Sequence, residues 1–248
     1  MRYFVDLAFK GTAYHGWQRQ ENAHSVQEEI ENALSTFLSE KIEVVGAGRT
    51  DTGVHASHMV LHFDLDKEVD LQSAVFQLNS ILPKDIAFRK IRKVKDDFHA
   101  RFSATTRTYR YYIHRQKDPF QEDASYFFRP ELDLLAMNEA AKLLLGKKDF
   151  SSFSKAHTQT FTNDCDIKEA LWIQENEHRL YFQITADRFL RNMVRAIVGT
   201  LIEVGQGKRT VDSIVELIAS KDRKKAGYSV PAEGLYLYHI EYPEEGFI

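Results

Sequence analysis

The chain of 248 residues contains one cysteine, Cys165, and no apolar run long enough to cross a bilayer. A single cysteine excludes a disulfide framework and a cysteine-based metal cluster, and it favours a reducing compartment. The N-terminal Met1-Arg2-Tyr3-Phe4-Val5-Asp6 meets an acid too early for a signal peptide. We therefore expect a cytoplasmic, globular protein without a membrane partner, long enough to bury one or two cores.

The sequence also lacks a strong net charge. Its formal charge of −3 argues weakly against a polyanionic partner. The basic residues are uneven, however: residues 84–117 hold eleven Lys or Arg and three acids, or about +8. Such a band can bind a phosphate backbone, but on charge alone a solvated charged face is the simpler interpretation.

Apolar periodicity predicts two successive halves with the same order of elements, strand, helix, strand, strand, helix, strand. The predicted strands are residues 2–9, 42–45, 59–65, 86–94, 106–114, 167–174, 180–185 and 235–242. The predicted helices are residues 25–38, 70–81, 132–145, 190–204 and 211–219, of which 132–145 would end at a C-terminal cap, Gly146.

This order predicts an α+β fold of two tandem split β-α-β halves, of the ferredoxin-like kind. We expect a mixed, mainly antiparallel sheet with helices packed on one side and the other face open. An open sheet face is a common platform for nucleic acid. The predicted domains are residues 1–100, which include Asp51, and residues 101–248.

The segment Gly46-Ala47-Gly48-Arg49-Thr50-Asp51-Thr52-Gly53 places a carboxylate among small residues, two positions after an arginine. Glycine permits sharp bends, so the segment can present Asp51 at a surface as a catalytic group. A plain turn-forming Asp is the alternative. Asp-Thr-Gly also resembles aspartic proteases, which need a second carboxylate to share a proton. The chain has no second Asp-Thr-Gly or Asp-Ser-Gly, although a homodimer could supply one.

Three further patterns are candidates for chemistry. His55, His58 and His62 suggest a metal site, but no carboxylate completes a ligand set, so we expect no metal.

The strand Arg107-Thr108-Tyr109-Arg110-Tyr111-Tyr112 alternates arginine and tyrosine, which suits base stacking and phosphate pairing. The alternative is a strand with its aromatic side chains in the core, which we favour for Tyr111 or Tyr112. Arg195 lies in an apolar helix, where its charge needs a partner, either in a structural ion pair or with a functional carboxylate.

Several motifs, in order along nearly the whole chain, resemble the tRNA pseudouridine synthase A family. They are Tyr14-His15-Gly16-Trp17-Gln18, residues 48–56 around Asp51, residues 98–104 leading to 107–111, Asp149-Phe150-Ser151-Ser152-Phe153, Asn192-Met193-Val194-Arg195 and residues 232–237. Several motifs in order are far more specific than any one loop.

The resemblance implies an isomerase that converts uridine to pseudouridine at tRNA positions 38 to 40, in the anticodon stem-loop, as a homodimer without cofactor or metal. It implies that Asp51 is the nucleophile and that Arg195 pairs with it. Tyr109 would stack on the target base, and Arg49 would help hold the flipped uridine.

Two segments depart from the family pattern, residues 158–167 and 226–231. Both lie outside the Asp51 loop, so they bear on RNA contacts and site choice more than on the reaction. A second hypothesis is an RNA-binding protein that kept the fold without catalysis, although Asp51, Tyr109 and Arg195 together argue against it. The third hypothesis is the aspartic hydrolase, which requires two Asp51 side chains in contact across a dimer.

Overall fold

The computed structural model describes residues 1–68, 70–155 and 161–248. The first three residues of the atypical segment 158–167 therefore lie outside the described residues. The chain forms two compact units, one of residues 1–106 with 236–248 and one of residues 107–235. The prediction of domains 1–100 and 101–248 concerns folding units and stays a prediction.

The helices and strands follow in chain order as β1 (Arg2–Phe9), α1 (Val26–Leu38), β2 (Val45–Gly46), β3 (His55–Asp64), α2 (Leu71–Ile81), β4 (Ile86–Val94), β5 (Thr106–His114), β6 (Tyr126–Phe127), α3 (Leu134–Lys142), β7 (Gly146–Asp149), β8 (Asp164–Asn176), β9 (Arg179–Ala186), α4 (Met193–Gly205), α5 (Ser213–Ser220) and β10 (Leu235–Glu241). None of the helices in the described residues is both long enough and apolar enough to span a membrane.

In the first unit the strands lie in the order β4-β1-β3-β10. β1 pairs antiparallel with β3 and β4, β2 pairs antiparallel with β3, and β10 runs parallel to β3. The core combines one face of β1, with Val5 and Leu7, and the apolar stripe of α1, with Ile30 and Leu34. Ser25 caps α1, because its side chain accepts a hydrogen bond from the Glu28 N–H at 3.3 Å.

In the second unit the strands lie in the order β5-β9-β8-β7, all antiparallel, and β6 runs parallel to β5. The Asn138 side chain docks α3 on β8 through two bonds to the Trp172 backbone, at 2.7 and 3.2 Å. α4 is buried over nearly its whole length, so the core of this unit lies around that helix.

The predicted α+β class with a mixed, mainly antiparallel sheet is confirmed. Residues 42–44 are not a strand: the Ser35 hydroxyl accepts from the Ile42 N–H and the Glu31 carboxylate from the Val44 N–H, at 2.9 and 3.2 Å. Side chains therefore satisfy this backbone in place of a strand partner.

Most other predicted elements differ from the observed ones by one to four residues at an end, and three of these differences have a clear physical reason. β3 begins at His55, four residues before the predicted start, because its first residues pair with β10. α4 begins at Met193 and not at residue 190, since Asn192 before it has a left-handed φ of 66°. α3 ends at Lys142, and Gly146, predicted as its cap, opens β7 with φ at 88°.

Candidate active site

Asp51 lies in a tight turn between β2 and β3. Its carbonyl accepts a hydrogen bond from the Val54 N–H at 3.1 Å, and Gly53 has a left-handed φ of 76°. A side chain at position 53 would be strained in that conformation. Asp51 is half-buried and Thr52 is exposed. The predicted turn through Thr52-Gly53 is thus present, and it brings Asp51 to the surface of the first unit.

Residues 11–17 brace this turn through the backbone. The Tyr14 carbonyl accepts from the Gly53 N–H at 3.3 Å, and the Trp17 N–H donates to the Thr50 carbonyl at 3.3 Å. Gly16 lies so close that a Cβ on it would stand 2.4 Å from the Thr50 carbonyl oxygen. The turn that carries Asp51 is therefore fixed from both of its ends by one neighbouring segment.

The brace is itself anchored to α1 and to Asp85, the residue before β4. The first N–H groups of α1, those of Val26 and Gln27, donate to the carbonyls of Gly16 and Trp17 at 3.2 and 3.0 Å. The Tyr14 hydroxyl donates to the Asp85 carboxylate at 2.7 Å. Burial and this carboxylate raise the pKa of Tyr14, so the phenol stays protonated and remains a donor at neutral pH.

The glycines near Asp51 lie in different surroundings. Gly46 is required by packing, because a Cβ there would stand 2.5 Å from the Trp17 ring. A Cβ on Gly48 would have no described atom within 4 Å. Only Gly53 of these three has a positive φ. Sharp backbone bending therefore explains Gly53, but it does not explain the other two.

Thr50, directly before Asp51, carries a buried hydroxyl that has no hydrogen-bond partner among the described residues. Thr50 as a whole is 8% exposed. An unsatisfied buried hydroxyl costs about 1–3 kcal/mol, and the described residues hold three other buried side-chain atoms of this kind, in Arg92, Arg115 and Trp172. Arg49, one position earlier, is exposed.

The three histidines considered as metal ligands each bind backbone through Nδ1. That atom accepts from the N–H of Gly11 in His55, of Ile240 in His58 and of Ala100 in His62, at 3.0, 3.2 and 3.2 Å. Among the described residues no group of three or more His, Cys, Asp or Glu side chains is arranged to hold a metal ion. The contacts assign these histidines structural roles.

Burial lowers the pKa of His62 to about 4, with the positive charges of Arg2 and His99 acting in the same direction. His62 is therefore neutral at pH 7, which agrees with Nδ1 acting as an acceptor.

In the second unit Tyr109 lies on β5, opposite Ile184 of β9. It is half-buried, and its ring packs nearly perpendicular to that of Phe189, with 5.0 Å between the ring centroids. Two strand positions later Tyr111 is fully buried, and its hydroxyl donates to the Pro231 carbonyl at 2.8 Å. Tyr111 is thus a core residue, as predicted, whereas Tyr112 is only half-buried.

The opposite face of β5 forms cross-strand contacts. Arg110 donates through Nε to the Gln183 side chain at 2.7 Å, and its guanidinium lies 4.5 Å from the Tyr181 ring centroid. Thr108 and Thr185 share a hydrogen bond of 2.8 Å between their hydroxyls. Contacts of this kind stabilise neighbouring strands and keep these side chains in fixed orientations.

Arg195 is half-buried in the first turn of α4. Its Nε donates to the Val230 carbonyl at 2.6 Å, and its own carbonyl accepts from the Val230 N–H at 3.3 Å. Sequence reasoning missed this role of Val230, since a backbone carbonyl leaves no signature in residue type. Asp51 and Arg195 belong to different units, and their pairing stays a prediction.

Comparison with known proteins identifies the family. The family model described as tRNA pseudouridine synthase matches residues 7–103 and 140–243. The tRNA pseudouridine synthase A of Bacteroides fragilis is 53% identical, over 99% of this chain and 98% of its own. The enzymes of that name from Porphyromonas gingivalis and Vibrio parahaemolyticus are 50% and 43% identical, over 100% and 99% of this chain and 99% and 93% of their own. The chain therefore belongs to the tRNA pseudouridine synthase family, a family of isomerases.

Proposed function

We propose that this protein converts uridine to pseudouridine at positions 38 to 40 of the tRNA anticodon stem-loop, with Asp51 as the nucleophile. The observation that carries the proposal is the braced turn that presents the half-buried Asp51 carboxylate, in a chain about half identical to tRNA pseudouridine synthases A.

The reaction is an isomerisation, so no atoms are gained or lost. The bond from C1′ of the ribose to N1 of the base breaks, the base turns, and a bond from C1′ to C5 forms. C5 loses its proton and N1 gains one. An ionised Asp51 can attack the sugar or the ring as a covalent nucleophile, or it can remove a proton from the sugar. None of these steps transfers electrons to an outside acceptor, so the proposed reaction needs no redox cofactor.

Three other side chains have proposed roles. Arg195 pairs with Asp51, since a guanidinium and a carboxylate stabilise each other through opposite charge and paired hydrogen bonds. Tyr109 stacks on the target base, and Arg49 helps to hold the flipped uridine. Removing a base from its stack costs about a few kcal/mol, which these aromatic and arginine contacts offset. The half-buried ring of Tyr109 and the exposed Arg49 suit these roles.

We further propose that the protein acts as a homodimer in the cytoplasm. Sedimentation of the purified chain tests whether it is a homodimer. A monomer at assay concentrations that converts uridine at full rate would contradict it.

The function itself is tested with tRNA transcripts that carry uridine at only one of positions 38, 39 and 40. Matched control transcripts carry cytidine at that position. Nucleoside mapping after incubation should find pseudouridine at the uridine position and none in the controls. Salt-sensitive tRNA binding without any product would instead favour the non-catalytic RNA-binding hypothesis.

A further inference from the structure

Arg195 is anchored by a segment more than thirty residues later in the chain. The Val230 carbonyl holds its Nε at 2.6 Å, and the Val230 N–H returns a bond to the Arg195 carbonyl. A bond through Nε fixes the guanidinium while its two terminal nitrogens remain available as donors in a fork that fits a carboxylate. The orientation of the fork therefore depends on where Val230 lies.

The segment of residues 227–230 lies directly against α4. A Cβ on Gly199 would stand 1.9 Å from the Tyr228 carbonyl oxygen, and one on Gly227 would stand 2.7 Å from the Thr200 nitrogen. The Thr200 hydroxyl accepts from the Gly227 N–H at 2.9 Å. Gly199 follows Arg195 by one helical turn, so the segment runs back along the face that carries Arg195.

Arg223 holds this segment at two points. Its Nη1 donates to the Gly227 carbonyl at 3.0 Å and its Nη2 to the Ser229 hydroxyl oxygen at 2.9 Å. The same hydroxyl oxygen accepts from the Asn192 side chain at 2.6 Å. Asn192 precedes the first residue of α4 and lies three positions before Arg195. Arg223 and Asn192 thereby fix the residue next to Val230 from two sides.

We propose that Arg223 is a positioning residue for the isomerisation, acting through Ser229 and the Val230 carbonyl to orient the Arg195 guanidinium. This inference rests on the proposed function, because it matters only where Arg195 takes part in the reaction. It gives the atypical segment 226–231 a role inside the catalytic machinery rather than in contacts with RNA. Arg223 itself contacts neither the substrate nor Asp51 in this proposal.

The test compares Arg223→Met with Arg209→Met. Arg209 is a matched control, because it is also half-buried, donates to the Lys225 carbonyl in the returning chain at 2.9 Å, and donates to the Glu203 carboxylate of α4 at 3.0 Å. Arg223→Met should lower kcat about 10- to 100-fold, with KM for tRNA little changed, since a displaced catalytic group costs about that much. Arg209→Met should keep the parental kcat, and it should lower the melting temperature about as much as Arg223→Met does.

The pH profile supplies a readout that a merely structural residue would not move. A guanidinium turned away from its carboxylate partner stabilises the anion less, so the acid limb of kcat should move to higher pH in Arg223→Met. Arg195→Met should move it further in the same direction. Arg209→Met should leave it in place.

A double-mutant cycle decides whether Arg223 acts through Arg195. In the Arg195→Met background the added Arg223→Met change should leave kcat about unchanged, since the group to be oriented is absent. The same fold-loss in both backgrounds would overturn the proposal. Equal pH profiles for folded Arg223→Met and Arg209→Met would also overturn it.

Two further variants distinguish a failure of this proposal from a failure to fold and from a failure of the proposed function. If Arg223→Met does not fold, Ser229→Ala removes the shared acceptor, and it should show the same pattern with a smaller loss. Asp51→Asn is assayed in parallel: turnover by this variant contradicts the proposed function. Loss of turnover in Asp51→Asn, combined with an additive cycle, contradicts only the role of Arg223.

Discussion

At the scale of single residues, the glycines near Asp51 show how one residue type serves different needs. Gly53 supplies a positive φ, Gly46 makes room for the Trp17 ring, and Gly16 allows the brace to approach the Thr50 carbonyl. Two constraints require glycine at position 16. Its φ is 94°, and a Cβ there would collide with the Thr50 carbonyl oxygen.

Gly16→Ala should lower the free energy of unfolding by about 2–3 kcal/mol and reduce turnover, because the new Cβ collides with Thr50 and the φ is strained. Gly48→Ala is the control, since a Cβ there would have no described atom within 4 Å. It should leave stability within about 0.5 kcal/mol of the parent. Urea titration measures both. Equal stability of the two variants would contradict the brace.

His62 gives the second prediction at this scale. Its folded pKa of about 4 lies below the ordinary value of 6.5. Between these two pH values the unfolded chain binds the extra proton, so stability is full above pH 6.5 and falls as the pH drops toward 4. The loss from this residue is at most about 3 kcal/mol.

His62→Asn can keep an acceptor near the Ala100 N–H but does not titrate in this range. Its free energy of unfolding should fall less steeply between pH 6.5 and 4 than that of the parent. Chemical denaturation at several pH values measures both slopes. Identical slopes would show that His62 contributes nothing to the acid sensitivity.

The sequence predicts local features well and distant contacts poorly. Alternation found β1, β4 and β5 at their observed ends, and Asp51-Thr52-Gly53 was predicted as a turn. The brace on that turn and the clamp on Arg195 are contacts between segments about 35 residues apart along the chain. In each contact at least one partner is a backbone atom. Every residue has such atoms, so residue type does not reveal the contact.

At the scale of elements, α1 carries more than its apolar stripe. Glu31 lies on this helix, is 6% exposed, and accepts from the Val44 N–H, the Gln27 side chain and Arg19. It thereby ties the helix to Val44, the residue before β2, which leads into the Asp51 loop. Position 31 lies at the margin of the apolar stripe of α1. A hydrophobic pattern in the sequence therefore does not identify the role of Glu31.

Glu31→Ala should cost about 1–3 kcal/mol of stability, because it leaves the buried Val44 N–H without its acceptor. Glu31→Gln retains an acceptor and should cost less. Glu43→Ala, at an exposed acid nearby, is the control and should leave the unfolding midpoint unchanged. Urea midpoints for the three variants check this order, and a loss for Glu43→Ala equal to that for Glu31→Ala would contradict it.

At the scale of the whole molecule, the proposed roles draw on both units: Asp51 and Arg49 come from the first, and Tyr109 and Arg195 from the second. The last strand, β10, runs parallel to β3 and so belongs with the N-terminal part of the chain. A helix and strand order read along the sequence does not reveal that return. The family resemblance was confirmed by relatives that match nearly the whole chain.

The most direct test of the central claim is nucleoside mapping of tRNA incubated with Asp51→Asn, beside the parent and Asp96→Asn. Asp96 is a well-exposed acid of the same unit. The parent and Asp96→Asn should form pseudouridine at positions 38 to 40. Asp51→Asn should bind tRNA with similar affinity and form none, because an amide is a poor nucleophile and a poor base. Pseudouridine formed by Asp51→Asn at the parental rate would contradict the claim.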